Sequence, residues 1–208
     1  LDTLGRLNQR DSPFGLKVQL WYGTALEHKD LDTFALRVLQ HVEDVSPSKE
    51  AWETYAETCR VLASLYEKIG RSKQSIRLLR QAQAAIATHG LDSIYPRFAI
   101  RISSWYRIFG NKDSSLFYAQ EVLRTAPRYG QVFEEAEGHL LMGLLLERSS
   151  YEKAAAHFRA AAKLYQKNDD YTDVSSIYNN LAHLHFKYNN PSIALAYVDS
   201  CLAMANKS

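Results

Sequence analysis

The sequence predicts an all-α protein, a solenoid of five helix-turn-helix repeats, and three observations carry that expectation. A short turn between two apolar runs recurs at Lys29-Asp30, Ile69-Gly70, Phe109-Gly110, Ser149-Ser150 and Asn189-Asn190. Counted on Asp30, Gly70, Gly110, Ser149 and Asn189, the intervals are 40, 40, 39 and 40, a period that marks repeat architectures. Around each turn a small residue stands seven positions before (Gly23, Ala63, Ser103, Ala182, with Met142 as the exception) and five after (Ala35, Ser75, Ser115, Ala154, Ala194). Two helices that cross at close range need small side chains at the crossing. Finally, apolar residues recur at intervals of three and four, as in Val61, Leu62, Leu65, Tyr66 and Ile69 and again in Ile76, Leu79, Ala82 and Ile86, which is the helical period.

The elements follow in order. Leu1, Leu4 and Leu7 share one helical face, so a short helix over residues 1–10 is expected to cover the first pair. Asp11 or Ser12 reads as a cap with Pro13 in the first turn. The chain then alternates helices from Phe14 to His28, Leu31 to Asp44, Pro47 to Ile69, Ser72 to Thr88, Ser93 to Phe109, Asp113 to Thr125, Arg128 to Arg148, Tyr151 to Lys167, Tyr171 to Tyr188 and Pro191 to Ala205. The repeats are therefore 13–46, 47–90, 91–127, 128–169 and 170–205. Pro13, Pro47, Pro96, Pro127 and Pro191 fall at helix starts or in connections, and His89-Gly90, Arg128-Tyr129-Gly130 and Asn168-Asp169-Asp170 carry residues that suit a helix stop. Each hairpin touches only its neighbours, so one continuous domain with a concave inner surface is expected.

Composition narrows the function classes. The 208 residues are 46% hydrophobic and 23% charged, as in folded globular proteins, with a net charge of +2. Through Ser104 there are 14 basic and 12 acidic residues, and 11 of each thereafter, so no electrostatic footprint for nucleic acid emerges. No run of about 18 apolar residues offers a membrane span. The start at Leu1 reads as a processed or excised chain, and the last hairpin carries no polar capping helix, so the stack is expected to end on another molecule or to continue. The compartment stays open between cytoplasm and periplasm. Cys59 and Cys201 lie three repeats apart, too far for a disulfide, and read as two buried free thiols.

Catalytic and metal chemistry find little support. His183 and His185 are two apart on a helix and point about 200° from each other, so they do not chelate together. His139 and His183 are the pair that facing repeats would bring nearest. The nine glycines are scattered and form no phosphate loop, and there is no Gly-x-Ser-x-Gly, His-Glu-x-x-His or Cys-x-x-Cys. Glu134-Glu135 and Asp169-Asp170 fall at a helix start and in a linker, where carboxylates favour helix N-termini. No catalytic residues, metal or cofactor are expected.

The repeats resemble the tetratricopeptide-repeat family over residues 14 to 205. Tyr151-Glu152-Lys153-Ala154 with Phe158 and Ala161 matches the family's second-helix pattern. Leu62-Ala63, Tyr66, Gly70, Leu79 and Ala82, and Leu181-Ala182, Asn189-Asn190, Pro191, Ala194 and Val198, repeat the match in the second and fifth units. The period near 40 exceeds the family's usual 34, and the tryptophan common early in the first helix is missing. Longer repeats of this kind are similar to those in bacterial signalling proteins, including sensor regions of histidine kinases and transcription regulators.

The resemblance implies a right-handed α-α superhelix whose groove is lined by the first helix of each pair. Inner positions then fall on Lys17, Leu20, Thr24 and Glu27; Glu57, Arg60, Ser64 and Glu67; Arg97, Arg101, Ser104 and Arg107; Ala136, His139 and Gly143; and Ser176, Asn179, Asn180, His183 and Phe186. The candidate ligand-binding set is Arg60, Glu67, Arg97, Arg101, Arg107, His139, Asn179, Asn180 and His183. Arginine grips a carboxylate with paired hydrogen bonds, so an acidic or carboxylate-ended peptide is the expected guest. Arg97 and Arg101 resemble the basic pair of family members that clamp a terminal carboxylate, while the companion positions are Val61, Thr24 and Leu20. The arginines alternatively pair with Glu57 or Glu67. Tyr66, Tyr106, Tyr118, Tyr165, Tyr178 and Tyr197 read as packing residues. The function expected is a non-catalytic protein- or peptide-binding module, the sensor or interaction region of a bacterial signal-transduction protein. The alternatives are a scaffold that assembles with itself, as in a homodimer, through end repeats, and an RNA-binding helical array.

Overall fold

The computed structural model describes residues 10–168 and 170–206; the helix expected over 1–10 lies outside them. The described residues form α1 (Pro13–His28), α2 (Asp32–Val45), α3 (Trp52–Lys68), α4 (Ser72–Thr88), α5 (Tyr95–Ile108), α6 (Lys112–Thr125), α7 (Val132–Leu146), α8 (Tyr151–Lys167), α9 (Tyr171–Lys187) and α10 (Pro191–Ala205). Among the described residues there is no strand. Two compact units result, residues 1–98 and 99–208.

In the first unit α1 pairs with α2 and α3 with α4. Ser12 rather than Asp11 caps α1, accepting from the Gly15 amide at 3.1 Å; Asp11 instead lies 2.9 Å from His41 Nε2. Leu16, Leu39, Leu62, Leu65, Leu79 and Ile86 are buried, and so are Ala35, Ala63 and Ser75, the small residues that flank the turns. A Cβ on Gly23 would stand 2.6 Å from Leu39 Cδ2, so nothing larger than glycine fits there without movement. Cys59 is buried, and desolvation pushes its thiol up to about 12.

In the second unit α5 crosses α6 through Ser103 and Ser115, each hydroxyl donating to the other residue's carbonyl at 2.8 Å. The hairpins α7–α8 and α9–α10 enclose Phe158, Ala161, Tyr165, Val174, Ile177, Leu181 and Leu184. Tyr106 stacks on Tyr118 and Tyr178 tilts against Tyr197, in keeping with the packing role expected of them. Met142, the exception to the small-residue rule, is buried, but close approach has moved one residue along: a Cβ on Gly143 would stand 2.5 Å from the Phe158 ring. Cys201 is only partly buried, which corrects the expectation of two buried thiols, and both cysteines are free.

Two helix starts differ from expectation. Pro47 and Arg128, expected to open α3 and α7, sit instead in short 3₁₀ turns, Ser46–Lys49 and Ala126–Tyr129. Each turn ends on a left-handed residue, Glu50 at φ 55° and Gly130 at φ 64°, so the chain reverses before Trp52 and Val132 begin the next helix.

Candidate functional site

In the first unit, positions three and four apart on α1 and α3 turn one face of each helix towards the same space. Lys17, Leu20, Trp21 and Thr24 from α1, Glu53, Thr54, Glu57, Arg60 and Val61 from α3, and Arg97 from the start of α5 line an open depression of about 410 Å³. Its electrostatic centre is Glu57. One carboxylate oxygen accepts from Arg60 Nε at 2.8 Å and the other lies 3.4 Å from Arg97 Nη1. Side-chain exposure separates the partners, at 14% for Glu57, 32% for Arg60 and 48% for Arg97, so Arg97 is the cation that incoming groups meet. Three cations (Lys17, Arg60, Arg97) against two carboxylates (Glu53, Glu57) leave the lining at +1.

An apolar wall completes the site. Trp21 is 57% exposed, with Lys17 Nζ 5.9 Å from its ring centroid, within cation–π range. Leu20 and Val61 adjoin it. The Thr24 hydroxyl donates its proton to the Leu20 carbonyl at 2.9 Å, which leaves it an acceptor towards a guest. The depression can therefore hold a short segment by one charged contact and one aromatic contact.

Of the nine residues singled out from sequence, Arg60 and Arg97 come together in this depression. Glu67 does not line it; its carboxylate accepts from the buried Ser75 hydroxyl at 2.7 Å and ties α3 to α4. Arg101 and Arg107 belong to the second unit, where Arg107 lines a different depression of about 500 Å³ with Lys112, Glu147 and Arg148 near the hairpin turns. His139 is half-buried against α8 and its Nδ1 lies 2.9 Å from Nδ1 of His157, the neighbour that takes the place imagined for His183. One of the two rings must donate and the other accept, and burial lowers the pKa of both. His183 and Asn179 are exposed one turn apart on α9, with Asn180 partly buried beside them.

Sequence reasoning missed Trp21, Glu53 and Thr54. The signal was present: Trp21 stands four residues after Lys17, and by the 40-residue period it is the counterpart of Val61, already named as a companion position of the carboxylate clamp.

A polar cluster of the second unit went unnoticed as well. The Tyr165 hydroxyl donates to Glu137, whose pKa burial raises and the Tyr165 bond lowers. Asp173 nearby is raised to about 6, by burial first and then by Asp170. Among the described residues no three His, Cys, Asp or Glu side chains are grouped to hold a metal ion, and no helix is long and apolar enough to cross a membrane.

No protein-family model and no curated protein sequence matches the chain. Solved structures do. The apo form of RapI superposes with a TM-score of 0.75 at 15% identity, over 100% of this chain and 59% of that one. A signal transduction ATPase with numerous domains from Pyrococcus horikoshii, described as having a tetratricopeptide repeat sensor, gives 0.75 at 18% identity over 93% of this chain and 30% of that one. The chain has a tetratricopeptide-like helical-repeat fold. BtubC (BKLC) from P. vanneervenii shares that fold at a TM-score of 0.68 and 15% identity, over 94% of this chain and 90% of its own length. The first two neighbours are much longer than the aligned region, which is 59% of one and 30% of the other.

Proposed function

We propose that this helical-repeat protein is a non-catalytic module that binds an extended protein segment bearing a carboxylate, and that it serves as the sensing or interaction region of a signal-transduction protein. The observation that carries the binding reading is the depression in the first unit, where Arg60 and Arg97 converge beside an exposed Trp21. A guest carboxylate would take Arg97 from Glu57, exchanging a 3.4 Å contact for a paired one, while an apolar side chain covers Trp21. The signalling part rests on the tetratricopeptide repeat sensor named in the Pyrococcus horikoshii protein. Ligand occupancy would favour one arrangement of the helices over another and so pass information onward.

A panel of short acidic peptides, each with a free or an amidated C-terminus, tests the reading by calorimetry. Binding is expected to favour free carboxylates, and Arg97→Ala is expected to weaken it about 10- to 100-fold, the equivalent of roughly 1.5–3 kcal/mol for a hydrogen bond to a charged group. Trp21→Ala should weaken it independently. Equal binding by wild type and Arg97→Ala would rule the site out.

A further inference from the structure

Among the described residues, two apolar helix faces lack the partner that their counterparts have. On α10, Leu195, Val198 and Leu202 are 63%, 41% and 59% exposed. Forty residues earlier the same positions are Ala155, Phe158 and Ala162 of α8, at 1%, 1% and 4%. Those three share one buried cluster with Ile177 and Leu181 of α9, the first helix of the next hairpin. The outer face of α10 therefore has the character of a hairpin-to-hairpin interface with its second half missing among the described residues.

The second half is present on α1. Phe14, Val18 and Tyr22 are 72%, 42% and 58% exposed. Their counterparts 40 residues on, Thr54, Thr58 and Leu62 of α3, are 8%, 0% and 0%. By the same register Val18 and Tyr22 correspond to Ile177 and Leu181 of α9, which are 1% and 0% exposed against α8. The chain thus displays both halves of the interface that it builds internally between α8 and α9, one on α10 and the other on α1. The charge pattern is permissive, since Asp199 is the one charged residue in Pro191–Ala205.

We propose that copies of this chain associate head to tail, the α10 face of one molecule packing on the α1 face of the next as α8 packs on α9. The contact is heterologous: each copy offers two different surfaces, so association runs on into open chains unless the rotation per copy closes a ring. Burial of apolar side chains drives it. This inference is independent of the peptide-binding reading, because none of Phe14, Val18, Tyr22, Leu195, Val198 and Leu202 lines the depression of the first unit.

Sedimentation velocity over a wide range of concentration, with no ligand added, tests the proposal. Wild type is expected to rise steadily above the 23.7 kDa of one chain. Val18→Glu/Tyr22→Glu alone and Val198→Glu/Leu202→Glu alone should each stay at one chain. Mixed together, the two variants retain one good face each, so they should form a one-to-one pair of twice that mass and stop. All four positions are exposed, and unchanged helical circular dichroism checks folding; should a double variant lose helicity, the single changes Tyr22→Glu and Leu202→Glu replace it. A wild type that stays at one chain overturns the proposal, as would follow if another molecule or a further helix covers α10. A Val18→Glu/Tyr22→Glu variant that still self-associates also overturns it, because α10 would then be pairing with itself.

Discussion

Asp173 shows how much a single carboxyl can report. It lies three residues into α9, its amide donates to Asp170 at 3.1 Å, and burial followed by the Asp170 charge raises its pKa from 3.8 to about 6. The folded chain therefore keeps this proton at pH values where the unfolded chain has released it. Stability from this group is present in full below about pH 3.8 and is lost as pH rises through 6. Asp173→Asn removes the titration, so the variant is expected to be the more stable near neutral pH and to show a flatter stability profile between the two values. Thermal melts across that range check this, and parallel profiles for the two proteins would refute it. Glu57 marks the limit of what single residues reveal in a sequence. Its pairing with Arg60 follows from i, i+3 spacing on one helix, whereas its contact with Arg97, 40 positions away, depends on how one hairpin is laid beside the next.

Hairpins repeat one sequence spacing with different chemistry at their small residues. Ala63 and Ser75 are both buried in the second, two serines exchange hydrogen bonds in the third, and in the fourth Gly143 lies against the Phe158 ring. Gly143→Ala gains about 1 kcal/mol in helix propensity but drives a methyl into that ring, and overpacking of this kind costs about 1–3 kcal/mol. A net loss of about 1 kcal/mol is expected in urea unfolding, with partial recovery in Gly143→Ala/Phe158→Leu. Gly138→Ala, which meets the side-chain ends of Val122 and Leu123 at 2.9 Å, should be milder. If both changes stabilise, the close approach at Gly143 is not rigid. At this scale the sequence was legible wherever the signal was local: turn residues, small residues at crossings and the apolar period. The starts of α3 and α7 differ from expectation because a proline, Pro47 itself or Pro127 just before Arg128, suits the first turn of a 3₁₀ helix as well as that of a long helix, and Glu50, a non-glycine residue at positive φ, gives no warning of the reversal.

The molecule as a whole is nearly neutral, and its charge is divided evenly along the chain, 14 basic against 12 acidic residues and then 11 against 11. Nucleic-acid affinity scales with the phosphates that a protein neutralises, so no salt-sensitive binding of single-stranded RNA is expected at physiological ionic strength. Fluorescence anisotropy with a labelled oligonucleotide checks it, and micromolar affinity that falls steeply with salt would revive the RNA-binding alternative. The fold class was readable at this scale from periodicity alone, but the site was not, since exposure of Trp21 and convergence of the arginines are properties of packing. One further consequence lies in the turns. Asp30, Gly70, Gly110 and Asn189 close four of the five hairpins with φ between 56° and 82°, whereas Ser149 is not among the left-handed residues. Four joints thus share the left-handed backbone region, at intervals of 40, 40 and 79 residues, so a forty-residue module could be exchanged between those joints with its backbone turn preserved, and the Ser149 joint is the one least interchangeable with the rest.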